Sequence, residues 1–237
     1  MRLRGRKGIR EALESQTDIV VLDPGKHRGK WREFFGNDRP IHVELGMGKG
    51  IFISEMSARY PEINFIGVDR YDELVRRASE KARNIWKERH DDSPRNLALV
   101  RHNIEHLEEM FDPAEIERIF LNFSDPWPKA KHARRRLTHP RFLDMYRKAL
   151  NVKGEIHLKT DSVSLFEYSL NVFADEELRM RNISLNLHAE GPHPDHVMTE
   201  YEAKFAGRGM PIHRCEVVIG EAALAQHAEQ IKAQKRS

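Results

Sequence analysis

From Ile41 onward the chain alternates short apolar segments with longer amphipathic ones, and this alternation constrains the fold more than any other feature. In residues 71–87, for example, apolar side chains recur every three to four positions, as they do on one face of a helix. Strands that alternate with helices form a mostly parallel sheet with helices on both faces. The sequence therefore predicts an α/β fold with a seven-stranded sheet, whose strands are residues 41–45, 63–68, 97–100, 117–122, 155–159, 179–187 and 212–219.

Composition divides the chain into three parts. Residues 1–38 mix Arg, Lys and Gly with few apolar side chains and are predicted to form a basic N-terminal arm. Residues 39–220 are the predicted α/β domain, and residues 221–237, rich in Ala and Gln, are predicted to form a weak tail helix. A chain of 237 residues accommodates one such domain with extensions more readily than two independent domains.

Composition also excludes several classes of protein. Hydrophobic residues make up 39% of the chain, which is enough to bury a core and excludes wholesale disorder. The single cysteine, Cys215, cannot form a disulfide scaffold and is typical of a reducing compartment. The sequence has neither the ~20-residue apolar stretch of a membrane helix nor a secretory signal. We therefore expect a cytoplasmic protein with no membrane partner.

Basic residues are concentrated in two clusters, although the chain as a whole has 40 Lys+Arg against 37 Asp+Glu. Such clusters attract a phosphodiester backbone by a salt-dependent force that does not depend on base sequence. A frayed terminus is the alternative for the first cluster, and a solvated surface is the alternative for the second. The first comprises Arg2, Arg4, Arg6, Lys7 and Arg10, and the second comprises Lys129, Lys131, His132, Arg134, Arg135 and Arg136.

A glycine-rich segment connects the first predicted strand to the first predicted helix. Gly46 and Gly48 allow a ligand to approach the backbone closely, and Asp69, at the end of the second predicted strand, is placed to accept hydrogen bonds from a ribose. Ile51 occupies the position where a dinucleotide-binding loop has its third small residue, and the carboxylate of Glu44 would repel a diphosphate. The pattern favours S-adenosylmethionine, which carries a sulfonium and no phosphate. A nicotinamide cofactor and purely structural glycine turns are the alternatives.

A second loop with reactive side chains follows the fourth predicted strand. Pro126 and Pro128 restrict its backbone, so the loop is stiffer than its length suggests. It presents Asp125 and Trp127, and Lys129 leads directly into the second basic cluster. A carboxylate, an aromatic face and phosphate-binding cations together are suited to holding an extruded RNA base. The alternatives are that Trp127 packs in the core and that Asp125 only accepts a hydrogen bond within a turn.

The chain resembles the bacterial tRNA (guanine-N7-)-methyltransferase family in segments spread over residues 41–218. The Asp-Pro-Trp-Pro motif of the second loop is highly specific for that family. The resemblance implies a Rossmann-like class I methyltransferase fold, S-adenosylmethionine as cofactor, tRNA as partner and methylation of N7 of the variable-loop guanine. The similar segments, in the family's order, are residues 44–50, 121–129, 132–137, 158–161 and 198–205.

The resemblance also implies roles for individual residues. The family often has Asp at the position of Asn103, whose amide can accept one hydrogen bond and donate another; from position alone it could also be a turn residue. The catalytic residue would be Asp125, which would also contact the cofactor together with Glu44, Gly46, Gly48, Asp69 and Asn103. The substrate would be held by Lys129, Asp161, Thr199 and Glu202, and RNA would be contacted by Lys131, His132, Arg134, Arg135 and Arg136.

The residues alone do not exclude three other functions: a methyltransferase acting on another RNA, a nicotinamide-dependent oxidoreductase, and an RNA-binding module without catalytic activity. The sequence does not decide between a monomer and a homodimer. No metal is expected, because methyl transfer needs none and prolines interrupt the one histidine-rich segment. That segment contains His188, His193, Asp195 and His196.

Overall fold

The computed structural model of the protein describes residues 8–90, 92–191 and 197–235. The chain is divided into two compact units. The first unit comprises residues 1–112 and 194–203, and the second comprises residues 113–193 and 204–237. No helix in the described ranges is both long enough and apolar enough to cross a membrane.

The first unit is built on four parallel strands in the order β1-β4-β3-β2. Every residue of β2 and β3 is buried, as expected for parallel strands that are covered on both faces. The strands are β1 (Val20–Val21), β2 (Ile41–Leu45), β3 (Asn64–Asp69) and β4 (Leu97–Arg101). The helices are α1 (Ile9–Glu14), α2 (Trp31–Phe35), α3 (Ile51–Arg59) and α4 (Asp72–His90), with 3-10 helices at Pro24–His27 and Ile104–Glu109.

The carboxyl ends of three of these strands lie level with one another. In the register of the sheet, Leu45 of β2 lies opposite Val68 of β3, and Val68 lies opposite Val100 of β4. Asp69, the last residue of β3, lies opposite Arg101. Open parallel sheets bind their ligands at this edge, so the side chains at and just beyond these strand ends are the first candidates for a site.

Residues 8–38, which the sequence places in an arm, contribute to the core of the first unit. Helix α1 packs against α4, and Leu13, Ile19 and Trp31 are buried. The indole Nε1 of Trp31 donates a hydrogen bond of 2.9 Å to the carbonyl oxygen of Met110. Strand β1 pairs with β4, so the described residues hold eight strands and the predicted count of seven is wrong. With two residues, β1 is too short for a strand periodicity to be visible in the sequence.

The second unit has a mixed sheet of four strands in the order β5-β6-β8-β7. Strands β5 and β6 are parallel, and β8 is antiparallel to both β6 and β7. The strands are β5 (Ile116–Asn122), β6 (Leu150–Thr160), β7 (Arg179–Ser184) and β8 (His213–Val218). The helices are α5 (Pro140–Ala149), α6 (Val163–Asp175) and α8 (Glu221–Gln234), with a 3-10 helix at Ala130–Arg135. The helix α7 (Glu200–Ala206) has its first residues in the first unit.

The α/β class predicted from the sequence is confirmed by this alternation of mostly parallel strands and helices. Helix α8 lies within the predicted tail segment, residues 221–237, and contacts β6.

A row of charged and titratable side chains crosses the sheet of the second unit. Arg181 of β7 lies 2.6 Å from the carboxylate of Glu155 in β6 and 2.9 Å from that of Glu216 in β8. Nε2 of His157 lies 3.0 Å from the same carboxylate of Glu155, which also pairs with Arg118 of β5 at 3.1 Å. Burial alone would raise the pKa of Glu155, but the hydrogen bond from His157 and the two arginines outweigh it and lower the pKa to about 2. Glu155 is therefore ionised at neutral pH.

Candidate functional site

The glycine-rich loop of the first unit turns between β2 and α3. Gly46, Gly48 and Gly50 have φ angles of 83°, 56° and 73°, in the left-handed region that favours glycine. The amide of Gly46 donates to the carbonyl oxygen of Val68 at 2.9 Å, which ties the loop to the end of β3. A methyl group at Gly50 would lie 2.4 Å from Cβ of Ala78 in α4. A methyl group at Gly46 or Gly48 would have no atom of the described residues within 4 Å, apart from atoms of its chain neighbours. The loop is therefore open at these two positions.

Asp69 ends β3 beside this loop. Its carboxylate oxygens accept hydrogen bonds from the backbone amides of Gly48, at 3.1 Å, and Tyr71, at 3.2 Å. Burial raises the pKa of the Asp69 carboxyl, and the nearby backbone donors together with the charge of Arg70 oppose part of that rise. A carboxylate held in this way, at the end of a parallel strand and beside an open turn, is suited to accept hydrogen bonds from ribose hydroxyls.

Glu44 and Asn103 come from the strands on either side of β3. Glu44 is buried in β2 and lies opposite Gly67 in the register. Asn103 follows β4, and its side-chain oxygen accepts a hydrogen bond of 3.2 Å from the amide of Glu105, which caps the following 3-10 helix. The predicted cofactor residues Glu44, Asp69 and Asn103 thus lie near the carboxyl ends of three adjacent strands, at the same edge of the sheet.

Thr199 and Glu202, which are predicted to hold the substrate, form a reciprocal cap at the start of α7. The amide of Glu202 donates to Oγ1 of Thr199 at 3.0 Å, and the amide of Thr199 donates to the carboxylate of Glu202 at 3.2 Å. This is the capping box expected of Thr-x-x-Glu at a helix N-terminus. Both residues are buried, with an exposed fraction of 0% for Glu202. Their side chains are therefore engaged in the fold of the first unit.

Glu200, between these two capping residues, contacts two lysines that the sequence does not single out. Its carboxylate oxygens lie 2.8 Å from Nζ of Lys49 in the glycine-rich loop and 2.9 Å from Nζ of Lys81 in α4. Burial would raise the pKa of Glu200, but its hydrogen bonds to the two lysines outweigh burial and lower it. The first turn of α7 is thereby attached to the glycine-rich loop. No sequence pattern indicates this contact, because the three residues are far apart in the chain.

In the second unit, the loop after β5 has an unusual backbone. Phe123 and Trp127 have φ angles of 52° and 42°, and each left-handed non-glycine residue costs about 1–2 kcal/mol. The amide of Phe123 donates to the carbonyl oxygen of Lys159 at 2.8 Å. Asp125 and Lys129 are exposed on this loop and are therefore accessible to a substrate. A loop with this strain keeps its shape only if other groups hold it.

Asp161 leaves the sheet of the second unit at the same edge as this loop. Asn122, the last residue of β5, lies opposite Lys159 in the parallel strand β6. Asp161 is half-buried and directly follows β6. The two predicted acidic groups of the second unit, Asp125 and Asp161, therefore follow neighbouring parallel strands.

Arg136 holds the loop after β5 in place. Its Nε donates to the carbonyl oxygen of Pro126 at 3.1 Å, and its Nη2 donates to that of Trp127 at 3.0 Å. The guanidinium carbon lies 4.2 Å from the ring centre of Tyr168 in α6, and the residue is only 8% exposed. Donors committed in this way to the protein argue against the predicted RNA contact for Arg136. The sequence does not distinguish this arginine from its neighbours.

The remaining basic residues of the second cluster face solvent. Lys131, Arg134 and Arg135 are exposed, and His132 is half-buried. The guanidinium carbon of Arg135 lies 4.8 Å from the ring centre of Trp127, and the ring of His132 lies 5.8 Å from it. Trp127 is half-buried and lies beside these side chains, so it is not a core residue.

Parts of the sequence prediction concern residues outside the described ranges. These are Arg2, Arg4, Arg6 and Lys7 of the arm, and His193, Asp195 and His196 of the histidine-rich segment. Within the described part of the chain, no group of three or more His, Cys, Asp or Glu side chains is arranged to hold a metal ion.

Comparison with known proteins gives a consistent result. Residues 38–215 match the family model described as "Putative methyltransferase". A protein of Streptococcus equi subsp. zooepidemicus (strain MGCS10565) named tRNA (guanine-N(7)-)-methyltransferase is 46% identical over 219 residues, which are 92% of this chain and 100% of that one. A protein of the same name from Brevibacillus brevis is 48% identical over 216 residues, which are 91% of this chain and 97% of that one.

Among solved structures, the 16S rRNA methyltransferase KamB aligns with a TM-score of 0.60 over 81% of this chain and 93% of that chain. Its sequence identity is 11%, so this similarity concerns the fold alone. It confirms the predicted class I methyltransferase fold.

Proposed function

This chain belongs to the tRNA (guanine-N7-)-methyltransferase family, and from that premise we propose that it transfers a methyl group from S-adenosylmethionine to N7 of the variable-loop guanine of tRNA. The observation that carries the proposal is the 46% identity over the whole length of a relative with that name. The open glycine-rich loop beside a buried aspartate supports it independently, since both are features that a nucleoside cofactor requires.

The residues of the first unit fit S-adenosylmethionine. When bound, this cofactor supplies an electrophilic methyl group on a positively charged sulfur. The open side of Gly46 and Gly48 would accept the ligand against the backbone, and Asp69 would accept hydrogen bonds from the ribose. Glu44 would provide negative charge for a cationic ligand, and Asn103, fixed by its cap, would contact the adenine or the ribose. The carboxylate of Glu44 would repel the diphosphate of a nicotinamide cofactor.

The second unit would supply the groups that act on the guanine. N7 carries a lone pair and no proton, so the transfer requires no general base, and catalysis rests on alignment and on stabilising the positive charge that moves to the purine. Asp125, exposed on the strained loop, would stabilise that charge. Lys129 would bind a phosphate of the same nucleotide, and Asp161 would accept hydrogen bonds from the edge of the base. Thr199 and Glu202 would contribute to substrate binding by fixing the first turn of α7, which they cap.

Exposed cations of the second basic cluster would bind the tRNA backbone. Lys131, Arg134 and Arg135 would neutralise phosphates, with His132 beside them, and the binding would weaken as salt rises. Since its substrate would be cellular tRNA, we place the protein in the cytoplasm. Neither a metal ion nor a membrane has a part in this proposal.

The proposal is tested by incubating the purified chain with labelled S-adenosylmethionine and unmodified tRNA, and by locating the labelled base. We expect label only at N7 of the variable-loop guanine, and no label in a tRNA with adenosine at that position. Label at another base, or on another RNA alone, would refute it.

A variant tests the role of the catalytic carboxylate. We expect Asp125→Asn to slow single-turnover methyl transfer by about 100-fold or more at saturating cofactor and tRNA, because a charge aimed at the reacting atoms is removed. Asp144→Asn is the matched control, since Asp144 is an exposed aspartate of α5 in the same unit. A normal rate in Asp125→Asn would show that another group stabilises the purine.

A further inference from the structure

The pair of lysines around Glu200 has an electrostatic consequence for the glycine-rich loop. Lys49 lies between Gly48 and Gly50, in the turn that we propose holds the cofactor. Its ammonium group is 2.8 Å from Glu200, and the same carboxylate is 2.9 Å from Lys81. The trio therefore carries one excess positive charge, whereas the two lysines without Glu200 would carry two.

An unbalanced positive charge beside this loop would act differently on the two forms of the cofactor. S-adenosylmethionine carries one more positive charge than S-adenosylhomocysteine, its thioether product, and the two are otherwise nearly identical in shape. Charges in a partly exposed site interact over several ångströms, and salt screens them. Offsetting one of the two lysine charges with Glu200 would thus favour the sulfonium form, while the thioether would respond little.

We propose that Glu200 is a positioning residue of the cofactor site, which attaches the first turn of α7 to the glycine-rich loop and shields the sulfonium from Lys49 and Lys81. Glu200 acts through the two lysines and does not hold the tRNA. Thr199 and Glu202 support this role, because their reciprocal cap fixes the turn from which Glu200 projects. The inference rests on the proposed function, since it concerns the same cofactor.

Glu200→Gln tests this inference, because it removes the charge and keeps the shape of the side chain. Binding of S-adenosylmethionine and S-adenosylhomocysteine to the full chain is measured by calorimetry at low and high salt. We expect the variant to bind S-adenosylmethionine about three- to tenfold more weakly at low salt, and S-adenosylhomocysteine less than about twofold more weakly. The difference is expected to shrink at high salt, and the double variant Glu200→Gln/Lys49→Met is expected to recover most of it.

Glu80→Gln is the matched control, because Glu80 precedes Lys81 in α4 and is exposed. It should leave the ratio of the two affinities unchanged. Equal weakening of both ligands by Glu200→Gln would overturn the inference, as would unchanged cofactor binding with weaker tRNA binding. If the unaltered chain bound neither ligand, the proposed function would fail and this inference with it. If the unaltered chain bound both ligands and Glu200→Gln left the ratio of the two affinities unchanged, the role of Glu200 would be overturned and the proposed function would stand.

Discussion

Replacing Arg136 should impair methyl transfer through the shape of a loop rather than through RNA affinity. Its guanidinium donates to the carbonyl oxygens of Pro126 and Trp127 at 3.1 and 3.0 Å, and hydrogen bonds with a charged partner contribute about 1.5–3 kcal/mol each. The contact with Tyr168 at 4.2 Å adds about 1 kcal/mol. Arg136→Met removes all three, whose sum is about 4–7 kcal/mol. Because contacts made by one side chain are not additive, we expect a smaller loss of about 3–5 kcal/mol, shared between the order of the loop and the free energy of unfolding.

The rate of methyl transfer should fall with the order of this loop. Trp127 is held at a φ of 42°, and without Arg136 the loop would relax from that strained conformation. A displacement of about 1 Å at a reacting group can cost about 100-fold in rate, so we expect kcat to fall between about 10- and 100-fold. Arg136→Lys keeps the charge but can reach only one of the two carbonyl oxygens, and we expect roughly half of the destabilisation.

Arg134→Met is the matched control, because the side chain of Arg134 is exposed two residues earlier in the chain. We expect its unfolding free energy to change by less than about 0.5 kcal/mol. Its tRNA affinity should fall, and the slope of log K against log salt should decrease in size by about 0.7–0.9 for each phosphate that the variant no longer neutralises.

Three measurements distinguish the two arginines: denaturant unfolding, single-turnover kcat, and tRNA binding at several salt concentrations. We expect Arg136→Met to change the first two and to leave the salt slope unchanged. A structural role for Arg136 would be contradicted if Arg136→Met unfolded like the unaltered chain and reduced the salt slope as Arg134→Met does. Arg136 would then be an RNA-binding residue.

Two further predictions concern stability. Gly50→Ala should cost about 2–4 kcal/mol of unfolding free energy, because the φ of 73° strains any L side chain and the new Cβ would lie 2.4 Å from Ala78. Gly48→Ala, with open space around it, should cost only about 1 kcal/mol. Equal losses of the two variants in chemical denaturation would contradict the packing argument. The chain should lose stability as pH falls from 4.5 through about 2, since Glu155 stabilises only while ionised and its pKa is lowered from 4.5 to about 2 by His157 and two arginines. Glu155→Gln should be less stable than the unaltered chain at neutral pH, but its unfolding free energy should fall less between about pH 5 and about pH 3 in urea titrations. An equal fall of unfolding free energy with pH in the variant and the unaltered chain would contradict the lowered pKa of Glu155.

The alternating strands and helices were predictable because hydrophobic periodicity is a local property. Strands β2 to β8 each overlap a predicted strand, although β6 begins at Leu150 rather than at the predicted Glu155. The glycine-rich loop joins β2 to α3 as expected. The contribution of residues 8–38 to the core is not visible in the sequence, because their buried side chains are scattered. Trp31 is buried through contacts with Met110 and Phe111, about eighty positions away in the chain.

The candidate site was predictable to the extent that its residues follow strand ends. Glu44, Asp69 and Asn103 come at or near the ends of β2, β3 and β4, and parallel strands in register bring such positions to one edge. The roles of individual side chains beyond the strand ends, such as Asn103 as a helix cap, depend on hydrogen bonds that no periodicity records.

The α/β class, the glycine-rich turn and the resemblance to a methyltransferase family can all be recognised in the sequence, since each is recorded in short, continuous segments of the chain. The folded protein alone shows which arginine of the basic cluster is buried and hydrogen-bonded to Pro126 and Trp127, and which lysines share the carboxylate of Glu200. Burial and ion pairing depend on which distant segments are folded together. Arginines that are alike in the sequence therefore differ in their solvent exposure and in their hydrogen-bond partners in the folded protein.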